Sequence, residues 1–298
     1  MRLLCANHGA LPFAALPSDG ELASMLRMQA AAGVDIATDG QPGWTDPITP
    51  LLAPLDGVRL GGPHTLPLGL RLAARPVVQA KLRRHKPLLV AAYRRAAALT
   101  AQPLKVVLTG PYTLAHAAEI ATTAYRHTAD LAADLATLLA QEVTALIAAG
   151  ATLIQIDEPL LLAQPQDARL LRTLLEPLVD AAGGAARVIV ATFGADAGGI
   201  YAQLNSLPGD IIAVDLAGGS ASQIATAIAE TGSGKPLALG IVDAAQPVLK
   251  ERDALRALLE RLLVRYPHDE VWLQPSRGLA ALTPAQAEAK LRLLGALR

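Results

Sequence analysis

The chain contains a single cysteine, Cys5, among its 298 residues. One cysteine cannot form an internal disulfide or a zinc site of the CxxC type. Only 3% of the residues are aromatic, and 26 basic residues balance 26 acidic ones, so the net charge is zero. This composition lacks the basic surface and the stacking side chains that nucleic-acid binding needs. The sequence therefore predicts no nucleic-acid partner.

Long hydrophobic runs are also missing, although 52% of the residues are hydrophobic. No apolar run reaches the length of about 18 residues that a membrane-spanning helix needs. The apolar residues 3–6 stop at Asn7 and His8, which is too short for the core of a signal peptide. We therefore expect a soluble, cytoplasmic protein with no membrane partner.

Short runs rich in Val, Ile and Leu recur along the chain, and most of them end in a polar residue or glycine before a helical pattern begins. Such runs are typical of strands that are buried on both faces of a parallel sheet. They cover residues 3–6, 34–38, 104–109, 152–157, 187–192, 211–215, 237–242 and 271–274. The sequence thus predicts eight strands.

Helical spacing of apolar residues fills the intervals between these runs. The predicted helices cover residues 21–32, 79–99, 129–149, 167–182, 221–230, 253–263 and 284–297. Gly33 and Gly150 follow two of them, where C-terminal caps are expected. The alternation favours an α/β fold of one domain, a single (β/α)8 TIM barrel over residues 1–298. An open doubly wound sheet is the alternative architecture.

The interval between the second and third predicted strands is about 65 residues long, too long for a plain βα connection. It contains several prolines and glycines, among them Pro47, Pro50, Gly61 and Gly62. We therefore predict an insertion over residues 41–77 that covers the barrel mouth and carries a hairpin near residues 58–66.

Polar residues follow the predicted strands at the end of the barrel where active sites of this fold lie. Asp39, Asp157, Asp215 and Asp243 would bring carboxylates together there, and such a group suits an ammonium or another cation. Arg277 is available to a carboxylate. The pattern predicts a small amino-acid-like ligand, although an aspartate at a strand end also serves to cap the next helix.

Five stretches of the chain, in order, resemble the cobalamin-independent methionine synthase family in its short single-barrel form. They are residues 32–46 (AGVDIATDGQPGWTD), 105–114 (KVVLTGPYTL), 154–160 (IQIDEPL), 239–243 (LGIVD) and 274–279 (QPSRGL). The resemblance extends over nearly the whole chain. It implies transfer of a methyl group to the thiol of homocysteine, with a zinc ion that holds the sulfur as the thiolate.

The positions that the resemblance assigns to zinc binding have changed in this chain. The family's His-x-Cys pair, Glu and second Cys fall here on Val190, Thr192, Asp215 and Ser276. Only Asp215 is a competent ligand at neutral pH. A substitute site would have to use His8 and Cys5 from the first strand. We therefore expect no bound metal or cofactor in the protein, with the zinc site lost.

Other family positions differ as well. The family histidine thought to act as an acid near the methyl donor corresponds to Ala245, and the tryptophan of folate-using members corresponds to Ala117. The glutamate that holds the substrate amino group corresponds to Gln41. The methyl donor stays open between folate and methylcobalamin, with a corrinoid protein or another partner protein as an alternative carrier.

The resemblance implies that the amino-acid end of the pocket survives, because the Asp-Glu-Pro stretch is retained at residues 157–159. The predicted catalytic residues are Asp157 and Asp243. The predicted substrate-binding residues are His8, Gln41, Asp46, Tyr112, Glu158, Thr192, Asp215, Ser276 and Arg277.

The leading hypothesis is a methyl or one-carbon transferase that acts on a small amino-acid or thiol substrate without zinc. Two alternatives stay open. One is a catalytically silent barrel that binds a ligand or a partner protein, like the zinc-free N-terminal half of the long enzymes. The other is a metal-free lyase that uses Asp157 and Asp243.

Overall fold

The computed structural model describes residues 1–13, 15–217, 221–264 and 266–298, and at residues 221 and 222 it describes the backbone alone. Seven strands form one parallel sheet. Together with the five strands outside this sheet, the strands of the described residues are β1 (Arg2–Cys5), β2 (Asp56–Leu60), β3 (His64–Thr65), β4 (Arg71–Leu72), β5 (Pro76–Arg83), β6 (Val106–Thr109), β7 (Glu119–Ile120), β8 (Leu153–Asp157), β9 (Arg187–Thr192), β10 (Ile211–Asp215), β11 (Leu237–Val242) and β12 (Glu270–Pro275). The parallel sheet has the order β1-β12-β11-β10-β9-β8-β6. Its strands correspond to seven of the eight predicted runs.

The eighth run closes this sheet into a barrel through two short parallel bridges. Ile36 pairs with Ala6 beyond β1, and Ala37 pairs with Leu104 ahead of β6. The Ala37 amide donates to the Pro103 carbonyl, and the Ala37 carbonyl accepts from the Lys105 amide at 2.9 Å. Residues 36 and 37 therefore occupy the position between β1 and β6, and the predicted (β/α)8 barrel is confirmed.

Helices surround the barrel and follow most of its strands. They are α1 (Asp19–Ala31), α2 (Thr49–Leu52), α3 (Val90–Ala97), α4 (Pro111–Ala117), α5 (Thr128–Ala148), α6 (Ala168–Ala182), α7 (Tyr201–Asn205), α8 (Ala221–Thr231), α9 (Arg252–Leu263) and α10 (Pro284–Gly295). A capping box at Ser18 and Glu21 begins α1. Gly33 and Gly150 follow α1 and α5 with φ of 87° and 100°, so both predicted glycine caps have the expected left-handed backbone.

The barrel strands are buried on both faces, and their side chains alternate between two hydrophobic cores. On β9, Ile189 and Ala191 belong to the core inside the barrel, whereas Val188 and Val190 pack in the core beneath the helices. Leu153 places the odd-numbered residues of β8 on the inner face. Because side chains alternate along a strand, Asp157 at the end of β8 also faces the interior.

The helix predicted over residues 79–99 is wrong in its first half. Residues Pro76–Arg83 form strand β5, which pairs antiparallel with β2, and only Val90–Ala97 are helical. The apolar spacing of this stretch fits a helix, but pairing with β2 satisfies its backbone instead. Tertiary structure thus overrode the local pattern.

The insertion between the second and third barrel strands is built on β2 and β5 and is longer than predicted. Its antiparallel pairing extends from Asp56 to Arg83, beyond the predicted hairpin at 58–66. The two-stranded ladder of β3 and β4 lies between these strands in the chain. The segment that joins β3 and β4 bears Leu70, which lines the main cavity described below.

Helix α5 is long and apolar enough to cross a membrane by length and composition alone. It packs between α4 and α6, and its buried residues include Leu135, Leu139 and Glu142. Helix α5 therefore has the position of a partly buried helix in the outer helical layer of the barrel.

Candidate active site at the carboxyl ends of the strands

A cavity of about 370 Å³ opens at the carboxyl ends of the barrel strands. It is lined by His8, Gly9, Ala10, Gln41, Trp44, Thr45, Asp46, Pro47, Leu70, Arg71, Asp157, Phe193, Arg277, Gly278, Ala280 and Ala281. A second cavity of about 260 Å³ shares Leu70, Arg71, Phe193 and Arg277 with it. The barrel and the insertion therefore enclose one site with two lobes.

Asp157 and His8 form the polar floor of the main lobe. The Asp157 carboxylate accepts a hydrogen bond of 2.7 Å from the Gln155 side chain, and its second oxygen lies 3.4 Å from His8 Nε2. The His8 ring packs edge-on against Phe193, with ring centroids 4.9 Å apart. Asp157 is 9% exposed, so a carboxylate faces the cavity in a nearly dry setting where it attracts a cation strongly.

Three buried polar residues lie under this floor. Gln155, Gln274 and Lys105 are each at most 1% exposed. The Lys105 ammonium donates to both glutamine side chains. Burial lowers the pKa of Lys105 to about 7, and the nearby Asp157 charge opposes that shift. The signal in the sequence was a polar residue inside each of three strand-like runs, but none of the three was predicted as a site residue.

Arginine side chains provide the positive charge of the cavity. Arg277 lines both lobes, and its buried Nε has no hydrogen-bond partner among the described residues. Arg71 also lines both lobes from the insertion. Arg277 acts electrostatically on Asp215, whose pKa it lowers against a larger rise from burial. A guanidinium with unused donors is suited to a carboxylate of a ligand.

Glu158 and Tyr112, two predicted substrate-binding residues, do not line either lobe. The buried Glu158 carboxylate accepts from the Tyr112 and Thr113 amides at 3.0 and 2.7 Å, at the start of α4. Burial raises the pKa of Glu158 to about 7, although both amides lower it. The Tyr112 hydroxyl donates to Asp167. Glu158 follows Asp157 and therefore points to the opposite side of the strand end, so its role is to anchor α4.

Gln41 and Asp46, two residues predicted to bind substrate, line the main lobe with different capacities for a ligand. The Asp46 carboxylate accepts from the Ile48 and Thr49 amides at 2.9 and 2.7 Å and from the Thr49 hydroxyl. Its oxygens are thus used to hold the chain at α2. Gln41 has a left-handed backbone with φ of 52°, and its side chain donates to the Val107 carbonyl at 3.2 Å.

The predicted residues Thr192 and Ser276 line neither lobe, and their chain neighbours do. Thr192 lies on the same side of β9 as Val190, and Phe193 lines the cavity. The Ser276 hydroxyl accepts from the Ala244 amide at 3.1 Å, and Arg277 lines the cavity. The cavity is thus lined by the residue that follows each of the two predicted ones, because the side chains of consecutive residues point to opposite sides.

Asp215 and Asp243 lie at the same barrel end as Asp157, as expected from parallel strands. The Asp215 oxygens accept from the Gly194 and Ala217 amides at 3.1 and 2.8 Å. Asp243 accepts from the Ala245 amide and interacts electrostatically with Lys290 on α10. Neither residue lines the cavities, so the predicted catalytic pair of Asp157 and Asp243 is not brought together.

Comparison with known proteins identifies the family. The family model for the catalytic domain of the cobalamin-independent synthases matches residues 13–296. The chain belongs to this family. It is 28% identical over 262 residues to a methionine synthase of Saccharolobus solfataricus, an alignment that covers 87% of this chain and 77% of that protein.

Longer members of the cobalamin-independent synthase family match over part of their length. The chain is 30% identical over 272 residues to the 5-methyltetrahydropteroyltriglutamate–homocysteine methyltransferase of Nitratidesulfovibrio vulgaris. The match covers 87% of this chain and 34% of that enzyme, so the chain spans about a third of its length.

Solved structures show the same fold. A B12-independent methionine synthase from Shewanella sp. W3-18-1, solved in complex with selenomethionine, superposes with a TM-score of 0.84 at 21% identity, covering 98% of this chain and 96% of that one. A methyltransferase from Methanosarcina mazei superposes with a TM-score of 0.65 at 15% identity, covering 99% and 92%.

The residues of this family member do not fit the zinc ion that the resemblance implies. Val190 packs under the helices, and the neighbouring inward positions hold Ala191 and Phe193. Zinc requires sulfur, imidazole or carboxylate donors, and only Asp215 among the four carried-over positions offers one. No group of three or more His, Cys, Asp or Glu in the described ranges is arranged to hold a metal ion.

A substitute metal site from His8 and Cys5 is also unsupported by the geometry. The Cys5 thiol lies 3.6 Å from the Leu294 carbonyl of α10, on the helix side of β1. Burial raises the pKa of Cys5 to about 11, which disfavours the thiolate that binds zinc. His8 faces the cavity instead, so the two side chains lie on opposite sides of the barrel wall.

Proposed function

We propose that this protein is a methionine-synthase-like methyl or one-carbon transferase that acts on a small amino-acid or thiol substrate without zinc. The observation that carries the proposal is a cavity that has a buried carboxylate, Asp157, and a guanidinium with unused donors, Arg277. These two groups are complementary to the ammonium and the carboxylate of an amino acid. The selenomethionine bound to the Shewanella relative is a ligand of this class.

Each lining group has a separate task in this proposal. Asp157 accepts hydrogen bonds from the substrate ammonium, and Arg277 donates to the substrate carboxylate, with Arg71 adding positive charge. Phe193 and Trp44 supply aromatic walls that exclude water from the substrate side chain. The adjoining lobe of about 260 Å³ provides space for the methyl donor. Binding both reactants in fixed positions lowers the entropic part of the barrier.

Activation of a thiol acceptor has to come from charge rather than from a metal in this chain. A free thiol with a pKa near 8.5 is about 3% ionised at pH 7. Arginine beside a thiol lowers its pKa, and Arg277 and Arg71 are the cations of this cavity. His8 is a poor base for this step, because Gln274 and Asp157 face its two ring nitrogens.

The methyl donor stays open between a folate and a methylated corrinoid, the latter on a partner protein. The Nitratidesulfovibrio relative is named for a folate donor. Ala117, at the position of the folate-stacking tryptophan, is fully buried in α4 and lines neither lobe, so this residue cannot stack a pteridine. Trp44 is the one tryptophan side chain that lines the main lobe.

A catalytically silent ligand-binding barrel is the second candidate. The carboxylates of Asp46 and Asp215 already accept hydrogen bonds from backbone amides, so they are not free to act on a substrate. This favours a barrel that binds a ligand without a reaction. The lyase hypothesis loses its support, since Asp243 accepts from the Ala245 amide and lines neither lobe beside Asp157.

Calorimetry with matched ligands tests the amino-acid site. We expect methionine, homocysteine or selenomethionine to bind, and the deaminated and decarboxylated forms of the same compound each to bind at least about tenfold more weakly. Equal binding of the deaminated form would contradict the role of Asp157. Growth rescue of a methionine auxotroph, or methyl transfer from a folate or corrinoid donor, separates the transferase from the silent barrel.

The purified protein should hold well below one zinc per chain after dialysis, because a single carboxylate cannot retain the ion against buffer. Elemental analysis by mass spectrometry measures this directly. A content close to one zinc per chain that falls on Asp215→Asn would restore the zinc-dependent mechanism. The matched control is Asp210→Asn, an aspartate that binds the Val188 amide near the opposite end of the barrel.

A further inference from the structure

Lys105 is a buried lysine whose described hydrogen-bond partners are both side-chain amides. It is 1% exposed, and its Nζ donates to Gln155 Oε1 and, at 3.3 Å, to Gln274 Oε1. No carboxylate of the described residues lies within ion-pair distance of it. Burial of a lysine in this setting costs free energy whether the amine is charged or neutral. We therefore expect a role for Lys105 other than filling space in the core.

Lys105 determines the orientation of the side-chain amides of Gln155 and Gln274. A side-chain amide has an oxygen that accepts and a nitrogen that donates, and either can face a given neighbour. The lysine ammonium only donates, and the neutral amine still carries two N–H groups for the two oxygens. Both amide oxygens are therefore turned toward Lys105. Both amide nitrogens are turned away from it, toward the floor of the cavity.

This orientation determines which nitrogen of His8 carries the proton. Gln274 Nε2 lies 3.3 Å from His8 Nδ1, and a donor at that position requires an unprotonated Nδ1. The proton of a neutral His8 is then on Nε2, which lies 3.4 Å from Asp157 Oδ2. Gln155 Nε2 donates to Asp157 Oδ1 at 2.7 Å and to the His8 carbonyl at 3.2 Å.

We propose that Lys105 is a positioning residue that, through Gln155 and Gln274, holds neutral His8 in the Nε2–H tautomer and orients the Asp157 carboxylate toward the cavity. The Nε2–H of His8 then faces Asp157 at 3.4 Å without a formed hydrogen bond, and Nδ1, which accepts from Gln274, is not available as a base. The tautomer follows from the geometry of the free protein alone. That this arrangement serves ligand binding rests on the proposed function.

Nitrogen-15 NMR of the histidine rings in the ligand-free protein tests the tautomer. The chain has six histidines, and the His8 signals are assigned by their loss in His8→Gln. At a pH where His8 is neutral, we expect Nδ1 to resonate as an unprotonated ring nitrogen and Nε2 as a protonated one. A proton found on Nδ1 of the unmodified protein would overturn the proposal.

Two substitutions should change the tautomer in different ways. Lys105→Met removes the donors at nearly constant length, so Gln274 can turn and His8 should become a mixture of tautomers. Gln274→Glu replaces the amide nitrogen by an acceptor, so the proton should move to Nδ1. If Lys105→Met does not fold, the Gln274→Glu variant still tests the tautomer of His8. A His8 spectrum unchanged in a folded form of either variant contradicts the proposal.

Lys290→Met is the matched control. Lys290 is also 1% exposed and donates to a carbonyl, that of Val248 at 2.5 Å, but it lies on α10. Its substitution should leave the His8 signals unchanged. Lys105→Met should also weaken binding of the amino acid that the unmodified protein binds, by about tenfold. If no amino acid binds at all, the proposed function fails while the tautomer result still stands.

Discussion

Asp157→Asn should abolish most of the affinity for an amino-acid ligand. The substitution keeps the shape of the side chain and its contact with Gln155, but it removes the negative charge that faces the cavity. The loss of a nearly desolvated charge partner costs about 2–4 kcal/mol, or roughly 30- to 1,000-fold in affinity. Calorimetry measures the affinity, and thermal unfolding should show little change in stability.

Glu158→Gln is the control for this experiment, because it makes the same chemical change at the next residue. Glu158 accepts one hydrogen bond on each oxygen from α4, and a glutamine can accept only one of them. We expect a loss of about 1–3 kcal/mol in the free energy of unfolding with less than about a threefold change in ligand affinity. Equal losses of affinity in both variants would show that Asp157 does not bind the ligand directly.

Glu142→Ala should destabilise the fold more than any surface charge substitution. Glu142 on α5 is fully buried and accepts from Arg84 Nε and Nη2 at 2.9 and 2.6 Å. It also accepts from the Leu88 and Leu89 amides at 2.8 Å. Removing the carboxylate leaves a buried guanidinium and two amides unpaired, at a cost of about 3–5 kcal/mol. Urea unfolding measures this cost.

The Arg75 and Glu119 pair provides the matched comparison at the same insertion. Its side chains are 30% and 49% exposed, with a separation of 3.4 Å. Glu119→Ala should change the unfolding free energy by no more than about 1 kcal/mol, because water screens an exposed pair. The double change Arg84→Met with Glu142→Leu should recover part of the loss from Glu142→Ala, because it removes the unpaired guanidinium but leaves the Leu88 and Leu89 amides without an acceptor. No recovery, or equal costs at Glu119 and Glu142, would contradict this account.

Much of the barrel could be predicted from local sequence, because a strand buried on both faces has to be apolar throughout. The predicted runs at 187–192, 211–215 and 237–242 coincide with β9, β10 and β11. Local sequence did not predict the strand at residues 79–83. Their spacing suits a helix, and only the presence of β2 beside them makes a strand of this segment.

The sequence by itself determined that the barrel forms and that Asp157 ends one of its strands, since strand length and polarity are local properties. It could not determine which of two consecutive residues faces inward, because a run that is apolar on both faces carries no alternation of polarity. Only the tertiary structure decided that Asp157, Phe193 and Arg277 line the cavity while Glu158, Thr192 and Ser276 do not. Tertiary contacts likewise gave Lys105 its role, because its partners Gln155 and Gln274 lie on strands distant in the chain and meet it only inside the closed barrel.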